Sequence, residues 1–209
     1  MNTEIANALS GYFDTLFALN RNLITFCGME AYADDPWKLH KYMQAVICFL
    51  PQLIPYSFSR NTRQYCISLN DGLMEFSDSL PFLRQDYEAI LQKHYAFLVK
   101  IKELRNKYEH KMHAVDLTSA GSGSFMLFDL CYHVNGQKIT ISAGNMIAVV
   151  KDLNILFSKI QQEVRQFAYE EKKQHYPYYI RLSRIDFADF NKIYDSDLLK
   201  IVGKTFLPF

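Results

Sequence analysis

The stretch ELRNKYEHKMH, residues 103–113, places an arginine, an asparagine and two histidines within about three helical turns. A guanidinium carries a permanent charge and a planar set of donors suited to a phosphate. An imidazole titrates near neutrality and can take or give a proton. Arg105 and His110 are therefore the side chains here whose types could share one reaction. Asn106 stands one turn before His110 and can orient its ring, and His113 lies one turn further along the same flank.

At about 100° per residue, Arg105 falls about 40° from Ile101, inside an apolar stripe. That stripe runs through Leu83, Tyr87, Ile90, Leu91, His94, Leu98, Ile101, Leu104, Tyr108 and Met112. An arginine among such neighbours needs an anion or a carbonyl to satisfy it. Glu109, one turn on, would do so as a plain helix-flank ion pair. His110 is rotated about 140° from Arg105, so the two can face one ligand in either of two ways. The helix distorts or ends between them, or its end packs against a copy of itself across a two-fold axis so that both motifs line one groove.

RNKYEH resembles the R-x4-6-H motif of the HEPN superfamily (higher eukaryotes and prokaryotes nucleotide-binding), including its form with a polar residue directly after the arginine. The resemblance covers six residues. It implies an antiparallel four-helix bundle that dimerises so that two motifs meet, and a metal-independent endoribonuclease of the toxin–antitoxin, phage-defence or stress-response kind. On this reading Arg105, Asn106 and His110 are catalytic: Arg105 holds the scissile phosphate, and His110 moves protons between the ribose 2′-OH and the leaving 5′ oxygen. Lys107, Lys111 and His113 would bind substrate, with Lys100 and Lys102 nearby and Glu103 and Glu109 offsetting part of the charge. The implied partners are RNA, a second copy of the chain, and an antitoxin or regulatory protein; no cofactor and no metal are implied. Met112 stands where members controlled by a nucleotidyltransferase carry Tyr, so the resemblance does not extend to that control. The alternative is a non-catalytic HEPN-like module that binds nucleotide, RNA or a partner protein through the same groove. A third reading is a helical interaction domain with an ion-paired helix end.

Other constellations carry less. His110 and His113 alone are too few ligands for zinc, and no HExxH is present. His94 reads as a hydrogen-bonded core histidine. His175 with Tyr176, Tyr178 and Tyr179 could stack on bases, but packing of the tail is the better account. SAGSGS lacks the lysine and preceding strand of a phosphate loop, and Asp34 and Asp35 precede Pro36 as a helix cap would.

Composition narrows the classes. With 49% hydrophobic and 22% charged residues, 209 residues suffice for one packed domain, 1–209, without disulfide staples. A net charge of +1 provides no global attraction to nucleic acid or anionic lipid, so such binding would need a local patch. Cys27, Cys48, Cys66 and Cys131 have no metal-type spacing and sit among apolar neighbours, as buried thiols do. The N-terminus lacks a secretory pattern, and the most apolar run, Tyr42 to Ile54, is too short to span a bilayer. A cytoplasmic protein that does not enter the membrane is expected.

The elements follow from periodicity, which shows no internal repeat. Apolar spacing predicts helices over about 3–31, 36–49, 80–112 (capped at Asp78 or Ser79) and 144–173. The stretch SFSRNTRQYCISLNDG predicts a loop or short helix, and TSAGSGS a linker. Asn135-Gly136 between strand-prone runs predicts a β-hairpin inserted at about 125–142, pairing Tyr132 with Ile139 and Leu130 with Ile141. An aromatic tail, 175–209, with a short helix would lie on the bundle. The expected fold is mainly α: an antiparallel four-helix, HEPN-like bundle with one inserted hairpin before the last long helix.

Overall fold

Three long amphipathic helices and a small sheet make up most of the computed structural model, which describes residues 3–28, 44–48, 50, 53, 57–58, 65–66, 73, 76–108, 115–120, 127–134, 137–170 and 185–196. The chain is mainly α. Helix α1 spans Thr3–Gly28, α2 Phe82–Tyr108, α3 Ala143–Glu170, and the short α4 Phe187–Tyr194. Residues 44–48 of the second expected helix are helical as well.

Each long helix buries the stripe its spacing dictates. Leu9, Phe13, Leu16 and Leu23 of α1 meet Leu83, Tyr87, Leu98, Ile101 and Leu104 of α2 and Met146, Val149, Leu153, Phe157 and Ile160 of α3 in one apolar core. Polar residues on α1 fold back on their own helix: Asn22 donates to the Ala18 carbonyl at 2.7 Å and Thr25 to that of Arg21 at 2.8 Å. Such bonds let polar side chains sit at a packed surface without an unmet donor.

Helix α4 locks the assembly from one side. Asp186 caps it, accepting from the Ala188 backbone N–H at 3.0 Å, and Asp189 and Lys192 match the helix dipole. The Ser158 hydroxyl of α3 donates to the same Asp186 carboxylate at 2.6 Å. Phe187 fills the space between α1 and α3, with ring centroids 5.8 Å from Phe13 and 6.1 Å from Phe157. Aromatic contacts of this kind add roughly 0.5–1.5 kcal/mol each beyond their buried area.

Between α2 and α3 in the chain lies an antiparallel sheet of three strands in the order β3, β4, β5: Val115–Ala120, Leu127–Val134 and Gln137–Ile141. Tyr132 stands opposite Ile139 and Leu130 opposite Ile141, the register that a two-residue Asn135-Gly136 connection requires.

Several expectations change. The inserted β element has a third strand, β3, so Thr118–Ala120 form a ladder with β4 rather than a linker. Small polar residues favour loops locally, but hydrogen bonds to a neighbouring strand override that preference. In the stretch expected to be a loop or short helix, strands β1 (Ser57–Phe58) and β2 (Tyr65–Cys66) pair antiparallel. Asp78 and Ser79 occupy a turn closed by bonds from the Ser79 and Leu80 N–H groups to the Phe76 carbonyl, and α2 begins only after Pro81. Ile155 of α3 is apolar yet 50% exposed. It lies nine residues from buried Met146, a rotation of about 180° that points it away from the core. Cys48 is a free thiol of intermediate exposure rather than a buried one, while Cys27 packs against the core and burial pushes its thiol up to about 12. The expected cap at Asp34 and Asp35, His175 with its tyrosines, and Asn135-Gly136 lie outside the described residues.

Candidate functional site

Arg105, Asn106 and Lys107 occupy consecutive positions in the last turns of α2. The turns before them are anchored: Leu98, Ile101 and Leu104 are all buried in the core. The position of Arg105 follows a residue that is fully buried and comes four after another, so the helix end that carries it is held in place by packing. His110, Lys111 and His113 lie outside the described residues, as do Glu109 and Met112. Three of the six predicted site positions thus share one helix end, and the other three lie outside the described residues.

A second group of chemically capable side chains lies further back on α2, where it packs against α3. The Asp152 carboxylate binds His94 Nε2 at 2.6 Å and Lys93 Nζ at 2.8 Å. Burial pushes the Asp152 carboxyl up, but the hydrogen bonds from Lys93 and His94, together with their charges, outweigh it and hold the group below its ordinary value. A carboxylate fixed on an imidazole orients the ring. The His94 side chain is only 10% exposed, so the pair acts as a clasp between helices rather than as an accessible proton shuttle. His94 is the hydrogen-bonded histidine its place in the stripe predicts.

Two turns away, Lys159 of α3 reaches Asp86 of α2 at 2.7 Å. The two ion pairs flank a shallow groove of about 260 Å³ floored by Ile90, Leu156 and the exposed Ile155. Sequence reasoning missed this group. Its signal is a pair of octads, DYEAILQK at 86–93 and DLNILFSK at 152–159, each with Asp first, two apolar residues in the middle and Lys last. The match is too short to register as a repeat.

The core also holds a closed amide network. Asn20 and Asn154, both fully buried, exchange hydrogen bonds at 2.7 and 2.9 Å. Asn20 donates its second amide hydrogen to the Leu16 carbonyl at 2.9 Å, and Asn154 donates its second to Asn191 Oδ1 at 2.9 Å. The Tyr194 hydroxyl donates to Asn20 Oδ1 at 3.1 Å, and Asn191 donates to the Lys151 carbonyl at 3.0 Å. Every donor of the two buried amides is used, which makes this a device for fixing how α1, α3 and α4 meet, not a ligand site. Among the described residues, no three His, Cys, Asp or Glu side chains come together as metal ligands would, and no helix is long and apolar enough to cross a membrane.

Compared with known proteins, the chain matches no family model, no curated protein and no solved structure. The resemblance of RNKYEH to the HEPN motif therefore stands on those six residues alone.

Proposed function

We propose that the chain is a single HEPN-like domain, 1–209, that cleaves RNA without a metal at a site shared by two copies, in a toxin–antitoxin, phage-defence or stress-response setting. The observation that carries this reading is the position of Arg105-Asn106 at the end of a long helix whose preceding turns are locked into the core. A rigid support of that kind suits a cation that must meet a transition state without rearranging.

In this mechanism Arg105 holds the scissile phosphate and balances the charge that grows on its oxygens. His110 takes the proton of the ribose 2′-OH, whose oxygen attacks phosphorus as the bond to the 5′ oxygen breaks; a protonated imidazole returns a proton to that oxygen. The products are a 2′,3′-cyclic phosphate and a 5′-hydroxyl, and DNA, lacking the 2′-OH, is not cut. Asn106 orients the imidazole, while Lys107, Lys111 and His113 hold the flanking backbone.

The test is end-labelled RNA, with DNA of the same sequence beside it, incubated in EDTA with the wild type, Arg105→Ala and His110→Ala. Cyclic-phosphate ends from RNA alone, formed at least about 100-fold more slowly by each variant, are expected. Full activity in either variant, or no cleavage of any RNA by the wild type, rejects the reading. RNA binding without cleavage by the wild type would leave a non-catalytic module.

A further inference from the structure

We infer that the outer face of the α2–α3 pair is a docking surface for a second copy of this chain. The two octads run antiparallel, because Asp86 meets Lys159 at one end of the groove while Lys93 meets Asp152 at the other. Travelling round the rim, Asp86, Lys93, Asp152 and Lys159 alternate in sign. Ile155, half exposed between them, is the exposed large hydrophobic residue among those described, and Ala89 of α2 lies exposed beside it on the same groove. An apolar patch ringed by charge is the usual mark of an association surface.

The charge pattern selects the partner. A nucleic acid needs a run of cations free to neutralise phosphates, whereas both lysines here already have a carboxylate within 3 Å. An alternating rim is instead its own complement. Turning a second copy over about a two-fold axis parallel to the helices sets Asp86 against Lys159 of the second copy and Lys93 against its Asp152. The same rotation seats Ile155 over the small Ala89 of the second copy. A two-fold axis across the helices would also match the charges, but it stacks Ile155 on Ile155 and leaves a gap between the two alanines. The first arrangement fills space better; in either one every neighbouring pair of helices is antiparallel, so that their dipoles oppose. Asp86 and Lys93 are about 10 Å apart along the helix, so each contact is two turns long and in register.

This axis leaves the C-terminal ends of both α2 helices, and with them both Arg105 positions, at the same end of the four-helix assembly. That consequence rests on the ribonuclease reading. The docking surface does not, and its test uses no RNA, so either can fail alone.

Sedimentation equilibrium of the full chain, supported by light scattering, measures the association. The wild type is expected to dimerise at micromolar concentration, and Ile155→Asp, at a half-exposed site that the monomer tolerates, to weaken the dimer at least about 10-fold. A second pair of proteins tests the charge pattern. One carries Lys93→Asp with Lys159→Asp and the other Asp86→Lys with Asp152→Lys; each alone should be monomeric, and an equimolar mixture should form a heterodimer. Circular dichroism checks that both remain helical, and if either does not, Ile155→Asp decides. A wild type that stays monomeric to roughly 100 µM, an Ile155→Asp dimer as tight as the wild type's, or two helical monomers that ignore each other would overturn the proposal.

Discussion

Asn154→Asp exchanges one amide nitrogen for an oxygen of nearly the same size at a position with no solvent exposure. The Asn154 nitrogen donates to Asn20 Oδ1 and to Asn191 Oδ1, each at 2.9 Å, so an ionised carboxylate there would face two acceptors. Flipping Asn20 would turn its oxygen toward the Leu16 carbonyl, and flipping Asn191 would turn its oxygen toward that of Lys151, so each rearrangement trades one clash for another. The new carboxyl escapes by staying protonated, which restores one of the two donated bonds. Below the unfolded carboxyl value of about 3.9 the variant should therefore lose about one hydrogen bond, or about 1 kcal/mol. Its folded-state pKa is raised, so stability present below about pH 3.9 is lost as pH rises, at about 1.4 kcal/mol per unit until the folded-state value is reached. By about pH 6 the deficit should be about 3–4 kcal/mol, a large share of a typical 5–15 kcal/mol total. Urea unfolding followed by far-ultraviolet circular dichroism at about pH 4 and about pH 6 measures it. A deficit that is the same at both pH values, or below about 0.5 kcal/mol throughout, would refute the network as a support of the fold.

Two other substitutions test the packing of α2. Asp152 is held below its ordinary value by Lys93 and His94, so its contribution is present above the unfolded carboxyl range and lost as acid protonates it. Urea midpoints should fall less on acidification for Asp152→Asn than for the wild type, and parallel curves would show that the clasp contributes nothing. The buried Tyr87 hydroxyl donates to the Leu53 carbonyl at 2.5 Å, and burial raises the phenol well above its usual value, so it stays a donor in alkali. Tyr87→Phe should cost about 1–2 kcal/mol in urea unfolding at any pH from neutral to mildly alkaline, with no change in helix content.

Local patterns carried much of the fold. The three-four spacing of Leu9, Phe13, Leu16 and Leu23 marks the buried face of α1 because a helix turns by a constant angle. Tyr132 stands against Ile139, the register that an Asn-Gly turn signal predicts because a two-residue connection leaves one register. Where such patterns misled, a distant partner made the difference. Thr118–Ala120 reads as a linker alone and is a strand only because β4 lies beside it.

The candidate site divides along the same line. Residue types and spacing alone single out Arg105, Asn106 and His110, and they put the arginine on the apolar side of its helix. They do not single out the Asp86, Lys93, Asp152 and Lys159 rim, because its members become neighbours only when α2 and α3 pack antiparallel. Nor do they reveal that Asn20 and Asn154, 134 residues apart, spend their amide hydrogens on each other. The sequence by itself determined which face of each helix is apolar and how β4 meets β5, since both depend on periods of a few residues. Tertiary structure decided which buried amides and which charges are partners, because that depends on how the helices cross, and a crossing is a property of two surfaces at once.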